Sequence, residues 1–301
     1  MSDFCCCCFG REKVDSNDDV RENNVKMNVM KMKSTTGQRE AEEAQPGSSM
    51  ARKPATGAQQ SPVLLELFTS QGCSSCPPAD VKFARLGQGL AKDIAGDVPV
   101  ITLAYHVDYW NHLGWQDPFA KSAWTQRQRS YGQVLQQNSI YTPELVVQGR
   151  AHCVGSDSRS AASLIQSAPR HLPAPVIHAT FERTSPSTLR VSVTVSAKKR
   201  AGNDQDRVDV LVALYENGLV TECKAGENRR KLLTNEYVVR SLETACTLPP
   251  PGGADAVVTG QVILQLWQSF SPSTTGIVIF LQNPVSKEVF GAQQFHLPHT
   301  L

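Results

Sequence analysis

The run PVLLELF, residues 62–68, is apolar but for Glu66 and has the length of a strand buried on both faces. Beyond it, Ala79, Phe83, Leu86 and Leu90 recur at spacings of four, three and four, the stripe of an amphipathic helix. Pro77 fits the first helical position, where no N–H bond is lost, which makes Cys76 the cap. VPVITLAYHV, 98–107, predicts a second buried strand, and residues 117–137 predict a helix. ELVVQGR, 144–150, predicts a third strand with AHCV as a short hairpin partner, and 156–168 predicts a closing helix.

After a proline-rich joint, APRHLPAP at 168–175, the pattern changes to strands alone. VIHATFER, LRVSVTVS, VDVLVALYE, YVVRSLETACTL, QVILQLWQ, GIVIFLQ and EVFGAQQFHL follow one another, joined by NG, PGG and NP turn signals. LRVSVTVS alternates strictly, as a half-buried antiparallel strand does, and the set predicts an all-β sandwich-like domain over 171–301.

Residues 1–60 carry nine basic and nine acidic side chains, all five methionines and no periodic pattern. Such a segment buries too little apolar surface to offset its ordering entropy, so it reads as a disordered tail. Cys5, Cys6, Cys7 and Cys8 sit in it beside Phe4 and Phe9. Adjacent cysteines cannot readily wrap one tetrahedral zinc, whereas each can carry an S-acyl chain. Peripheral membrane attachment through palmitoylation of these four is one reading, incidental thiols in a polar tail a second, and metal binding a third. Ser2 replaces the glycine that N-myristoylation needs.

The 301 residues carry 30 basic against 28 acidic side chains, with no basic stripe to track a phosphate backbone, which argues against a nucleic-acid partner. No apolar run reaches the roughly 18–20 residues of a membrane span, and residues 1–30 lack the apolar core of a signal peptide. The expected setting is cytoplasmic, including the cytoplasmic face of a membrane. Cys153, Cys223 and Cys246 are scattered and read as packed, reduced thiols.

The chemistry concentrates in QGCSSCPPAD, residues 71–80, just beyond the first strand. A C-x-x-C pair admits three readings: a dithiol active in exchange, an inert pair on a binding module, or half a zinc site. The third lacks its other ligands, because no second C-x-x-C or H-x3-H is present. No metal site and no cofactor are expected. Pro77 and Pro78 predict a turn over Cys73–Cys76 with the helix starting after it, which weakens helix-dipole assistance to Cys73. His106 and Asp108 end the second strand on the edge that carries the cysteines, so His106 borders the site as a thiolate or substrate contact, or else is a structural hydrogen-bonding residue. Eight of the twenty aromatic residues lie between Tyr105 and Tyr141, mostly as packing, some as candidate groove lining. The GENRR segment reads as an exposed turn, with anion binding as the alternative.

The order strand, C-x-x-C, helix, strand, helix, Thr142-Pro143, strand, hairpin, helix resembles the thioredoxin fold, with Pro143 at the place of its cis-proline. ELFTSQGCSSCPPAD, AYHVDYWNHLGWQDPF, RQRSYG, IYTPELVVQGR, VGSD, GENRRKLLTNEYVVRSL and FGAQQFHL together resemble the thioredoxin-like family known as domain of unknown function 1223, over about residues 61–300. The resemblance implies an α/β thioredoxin-like domain, 61–170, followed by the sandwich-like domain. It implies a thiol-disulfide oxidoreductase acting on a protein or small-molecule thiol or disulfide, with Cys73 as exposed attacker, Cys76 as resolving thiol and Pro143 positioning the partner. Glu66, seven residues before Cys73, then occupies the place of a buried acid that accepts the resolving thiol's proton; the plainer reading is a Glu reaching solvent or an Arg. The alternative function is a non-enzymatic interaction module that keeps the fold as a scaffold.

Overall fold

The computed structural model describes residues 60–170, 173–197, 207–248 and 256–301. All of them belong to one compact unit, Ala55–Leu301. The tail, with Cys5, Cys6, Cys7 and Cys8, lies outside the described residues save Gln60.

Strand β1 (Val63–Thr69) is buried along its whole length. It pairs in parallel with β2 (Val100–His106) and antiparallel with β3 (Glu144–Val147), which turns into β4 (Ala151–Val154). Strand β3 is shorter than the expected 144–150, because Gln148 and Gly149 take φ of 53° and 69°. That turn directs the buried Gln148 carboxamide onto Leu64 N–H at 2.8 Å and the Val289 carbonyl at 3.0 Å.

Helices α1 (Pro77–Gly87), α2 (Lys92–Ala95) and α4 (Ser158–Ser167) cover one face, where Ala79, Phe83 and Ile165 pack on Val63, Leu65 and Leu67. Asp157 caps α4, accepting from the N–H groups of Arg159 and Ser160. Helix α3 (Ser122–Val134) lies on the other face, its Trp124 and Tyr131 against Leu64 and Phe68. It starts at Ser122 rather than at Asp117 because the Asp117 carboxylate turns inward to Gln71 and His106.

The remaining strands are β5 (Val176–Ser185), β6 (Thr188–Ala197), β7 (Val208–Glu216), β8 (Leu219–Glu222), β9 (Leu232–Asn235), β10 (Val238–Leu248), β11 (Ala256–Gln265), β12 (Thr275–Gln282) and β13 (Val289–His296). Their arrangement corrects the expected fold class of an α/β thioredoxin-like domain followed by an all-β sandwich. Eight strands in the order β13-β12-β7-β10-β2-β1-β3-β4 form a single mixed sheet that uses strands from both halves. The junction is β10 on β2, parallel, with Val238 opposite Ala104 and the Ala104 N–H donating to the Tyr237 carbonyl at 2.8 Å. The physical reason is the edge of β2, whose buried backbone groups need partners that helices cannot supply.

One core spans the junction, joining Phe68, Leu103 and Tyr105 to Tyr215, Val278 and Phe280. A three-stranded sheet, β11-β6-β5, covers only part of the large sheet, through Leu189, Val191, Val193 and Val195 against Val210, Val212 and Ile279. These are the apolar positions of the alternating segment LRVSVTVS. The β8–β9 hairpin stands apart as a two-stranded sheet between β7 and β10 in sequence.

Candidate functional site

The turn from Ser70 to Cys76 leaves β1 at the edge where β1 and β2 both end. Cys73 N–H donates to the Ser70 carbonyl at 3.2 Å and Cys76 N–H to the Cys73 carbonyl at 3.3 Å. Helix α1 begins only at Pro77, with Pro77 and Pro78 in its first turn, where missing N–H groups cost nothing. Its first free donors, Ala79 N–H and Asp80 N–H, both go to the Cys76 carbonyl. Cys73 is therefore stabilised by side chains and its own turn rather than by a helix end.

Cys73 Sγ lies 3.1 Å from Ser75 Oγ and 3.7 Å from the Thr142 carbonyl. The Cys76 thiol hydrogen-bonds it and, against the opposing effect of burial and with help from Ser75 and Thr142, lowers it to about 5. Burial first, then Cys73 and the Asp80 carboxylate, raises the Cys76 thiol well above its ordinary value. The Thr142-Pro143 bond is cis, and Trp110 Nε1–H donates to Thr142 Oγ1 at 2.7 Å, which fixes the strand entry beside Cys73. Gly155 accommodates this contact: its N–H donates to the Pro143 carbonyl, and a Cβ there would lie 2.7 Å from Leu67 and 3.3 Å from Pro143.

Cys73, Cys76, Pro143 and His106 thus lie at one edge of the sheet. Glu66 does not join them. It points to the face of Leu64 and Phe68, where Arg127 Nε donates to it at 2.8 Å and the Tyr131 hydroxyl also binds it. The period of two along β1 separates it from Leu67 and Thr69, which face α1. The Arg partner named for it as the plainer reading is the one present.

Three groups near the thiols were missed by sequence reasoning. Asp80 lies one turn after Cys76; burial pushes it up to about 7, against the lowering effects of His106 and Thr69. Thr69 Oγ1 donates to Asp80 Oδ1 at 2.7 Å. Asp117 Oδ2 lies 2.7 Å from His106 Nδ1 and accepts from Gln71 N–H at 2.8 Å. Burial alone would lower His106, but the Asp117 carboxylate outweighs it and raises the imidazole. The legible signal for Asp80 was a carboxylate on the buried side of an apolar helix stripe, between Ala79 and Phe83.

The GENRR segment is not an exposed turn throughout. Asn228 is buried and its Nδ2 donates to the carbonyls of Gln71 and Cys73, each at 2.9 Å. Glu227 accepts from Ser74 N–H at 3.0 Å. Under this loop Cys73 is 4% exposed, so the expected exposed attacker is nearly covered, while Ser74 and Ser75 face solvent. Losing the two Asn228 bonds, each worth about 1 kcal/mol, is expected to loosen the cover. Alkylation of Cys73 at fixed pH should then run about 30-fold faster in Asn228→Ala; an unchanged rate, followed by mass spectrometry, would show that the loop is not the barrier.

Among the described residues no group of three His, Cys, Asp or Glu side chains is placed to hold a metal ion, and no helix is long and apolar enough to cross a membrane. Cys73, Cys76, Cys153, Cys223 and Cys246 are all free.

A crystal structure of a protein from Agrobacterium tumefaciens is similar at 26% identity over 79% of this chain and 95% of that one, with a TM-score of 0.56. HBP35 of Porphyromonas gingivalis shares the fold at 13% identity, over 80% of this chain and 77% of that one, with a TM-score of 0.53. A search of the curated proteins gives no match. The sequence profile described as "Protein of unknown function (DUF1223)" matches residues 64–282, and the chain belongs to that family.

Proposed function

We propose that the protein is a thiol-disulfide oxidoreductase whose dithiol is Cys73 and Cys76. The observation that carries this reading is the setting of the two thiols: Cys73 Sγ lies 3.1 Å from Ser75 Oγ and 3.7 Å from the Thr142 carbonyl, beside a fully buried Cys76, an arrangement that lowers the first thiol and raises the second. The Cys73 thiolate attacks a disulfide R–S–S–R′, forming Cys73–S–S–R and expelling R′–S⁻. Cys76, once deprotonated, attacks the Cys73 sulfur and expels R–S⁻, so the protein is oxidised by two electrons and the substrate becomes two thiols. The partner is a protein or small-molecule disulfide that docks beside Thr142-Pro143. A cytoplasmic setting belongs to the proposal.

One observation favours a second reading, a non-enzymatic interaction module: the near-complete cover over Cys73. Equilibrating the protein in a glutathione series, trapping free thiols and reading the mass shift separates the two. A reversible Cys73–Cys76 couple is expected; a pair that never oxidises reversibly would leave the interaction module.

A further inference from the structure

Cys76 is fully buried, so its proton cannot leave directly into water when it resolves a mixed disulfide. We propose that Asp80 accepts this proton through the Thr69 hydroxyl, with the His106–Asp117 pair as the positioning group behind it. The inference rests on the dithiol reading above.

Thr69 is the last residue of β1 and is buried; its hydroxyl donates to Asp80 Oδ1 at 2.7 Å and stands close enough to the Cys76 thiol to exert a lowering influence on it. A hydroxyl both accepts and donates, so it can pass a proton on without changing its own charge. The S–H bond of Cys76 breaks as Thr69 Oγ1 takes that proton, and the proton of Thr69 forms an O–H bond on Asp80 Oδ1. One negative charge moves from Asp80 to Cys76, whose thiolate then attacks the Cys73 sulfur and expels R–S⁻. The Asp80 N–H, bound to the Cys76 carbonyl at 3.1 Å, fixes acid and thiol one helical turn apart.

His106 pairs in register with Thr69 across the parallel strands. Its Nδ1 is occupied by Asp117, while its Nε2 is buried and has no partner among the described residues. The ionisable groups acting on Asp80 are His106 from β2, which lowers it, and Asp117 and Cys73, which raise it. Strand β9, which packs against α1, brings Leu232, Leu233, Thr234 and Asn235, none of which titrates. Burial is the largest influence, and the balance leaves Asp80 at about 7, able both to take and to return a proton near neutrality.

The test uses the full chain with Cys5, Cys6, Cys7 and Cys8 replaced by serine, reduced and mixed with one equivalent of a chromogenic aryl disulfide. The first aryl thiolate released reports attack by Cys73, and the second reports resolution by Cys76. Asp80→Asn is expected to slow the second release about 100-fold and to abolish its rise with pH through about 7, leaving the first release nearly unchanged. Thr69→Val should behave likewise and Thr69→Ser should restore the step, which a packing defect would not do. His106→Gln removes a positive charge, raises Asp80 and moves the inflection to higher pH. A second release in Asp80→Asn with the parent rate and pH profile would overturn the relay, as would Thr69→Ser as slow as Thr69→Val. A parent protein that releases no first thiolate would instead overturn the dithiol reading itself, and the relay with it.

Discussion

Alkylation of Cys73 by iodoacetamide is expected to be half-maximal near pH 5 and flat above it, and Cys76→Ala is expected to move that midpoint up toward the roughly 8.5 of a free thiol. The Cys76 hydrogen bond is the largest of the influences that lower Cys73, so its removal leaves burial opposed only by Ser75 and Thr142. Cys76→Ser keeps a donor and should fall between. Rates across pH, read by mass spectrometry, check this; a parent midpoint above about 8 would mean that the side chains do not stabilise the thiolate.

The same shifts set how the reduced fold depends on pH. Cys73, lowered, contributes stability that is fully present above its unfolded value and is lost as pH falls through about 5. Cys76, raised, contributes stability that is present below its unfolded value and is lost as pH rises through its folded one. Between those limits the reduced pair is favoured on both counts, which makes the disulfide a better oxidant.

The elements of the first half were legible because each has a strong local signal: PVLLELF as a buried run, the Ala79–Phe83–Leu86 stripe, and the turn forced by Pro77 and Pro78. The turn over Cys73–Cys76 followed from those prolines alone. The single sheet was not legible. Strands β7 and β12 are buried on both faces, with Val212 and Ile279 facing one core and Ala213 and Phe280 the other, so no alternation says which layer or neighbour they take. The pairing of Val238 with Ala104 spans more than a hundred residues and leaves no local trace.

The site shows the same division. Cys73, Cys76, Pro143 and His106 carried motif or strand-end signals, whereas Asn228 and Asp117 reach the turn by side-chain contacts over separations of 155 and 46 residues, to Cys73 and Gln71. Glu66 was misleading for a local reason. An acid in an apolar strand signals a buried charge with a partner, but sequence does not say on which face that partner waits.

That partner sets the largest stability effect: Arg127→Met is expected to cost about 3–5 kcal/mol, because it leaves the Glu66 carboxylate buried and uncompensated. Arg127 lies 2.7 Å from Glu66 Oε1, donates to Gln282 Oε1 at 3.0 Å, and stacks within 5.7 Å of the Tyr105, Tyr131 and Phe280 ring centres. It therefore ties β1, α3 and β12 together across the junction of the two halves. The double variant Glu66→Leu with Arg127→Met should recover most of the loss, since an apolar pair of similar volume pays no desolvation cost. Urea midpoints of the two single variants and the double variant measure the coupling. Because this pair sits on the face of the sheet away from α1, the folded double variant should keep the alkylation midpoint of Cys73. A midpoint displaced in the double variant would place Glu66 back within the electrostatics of the dithiol.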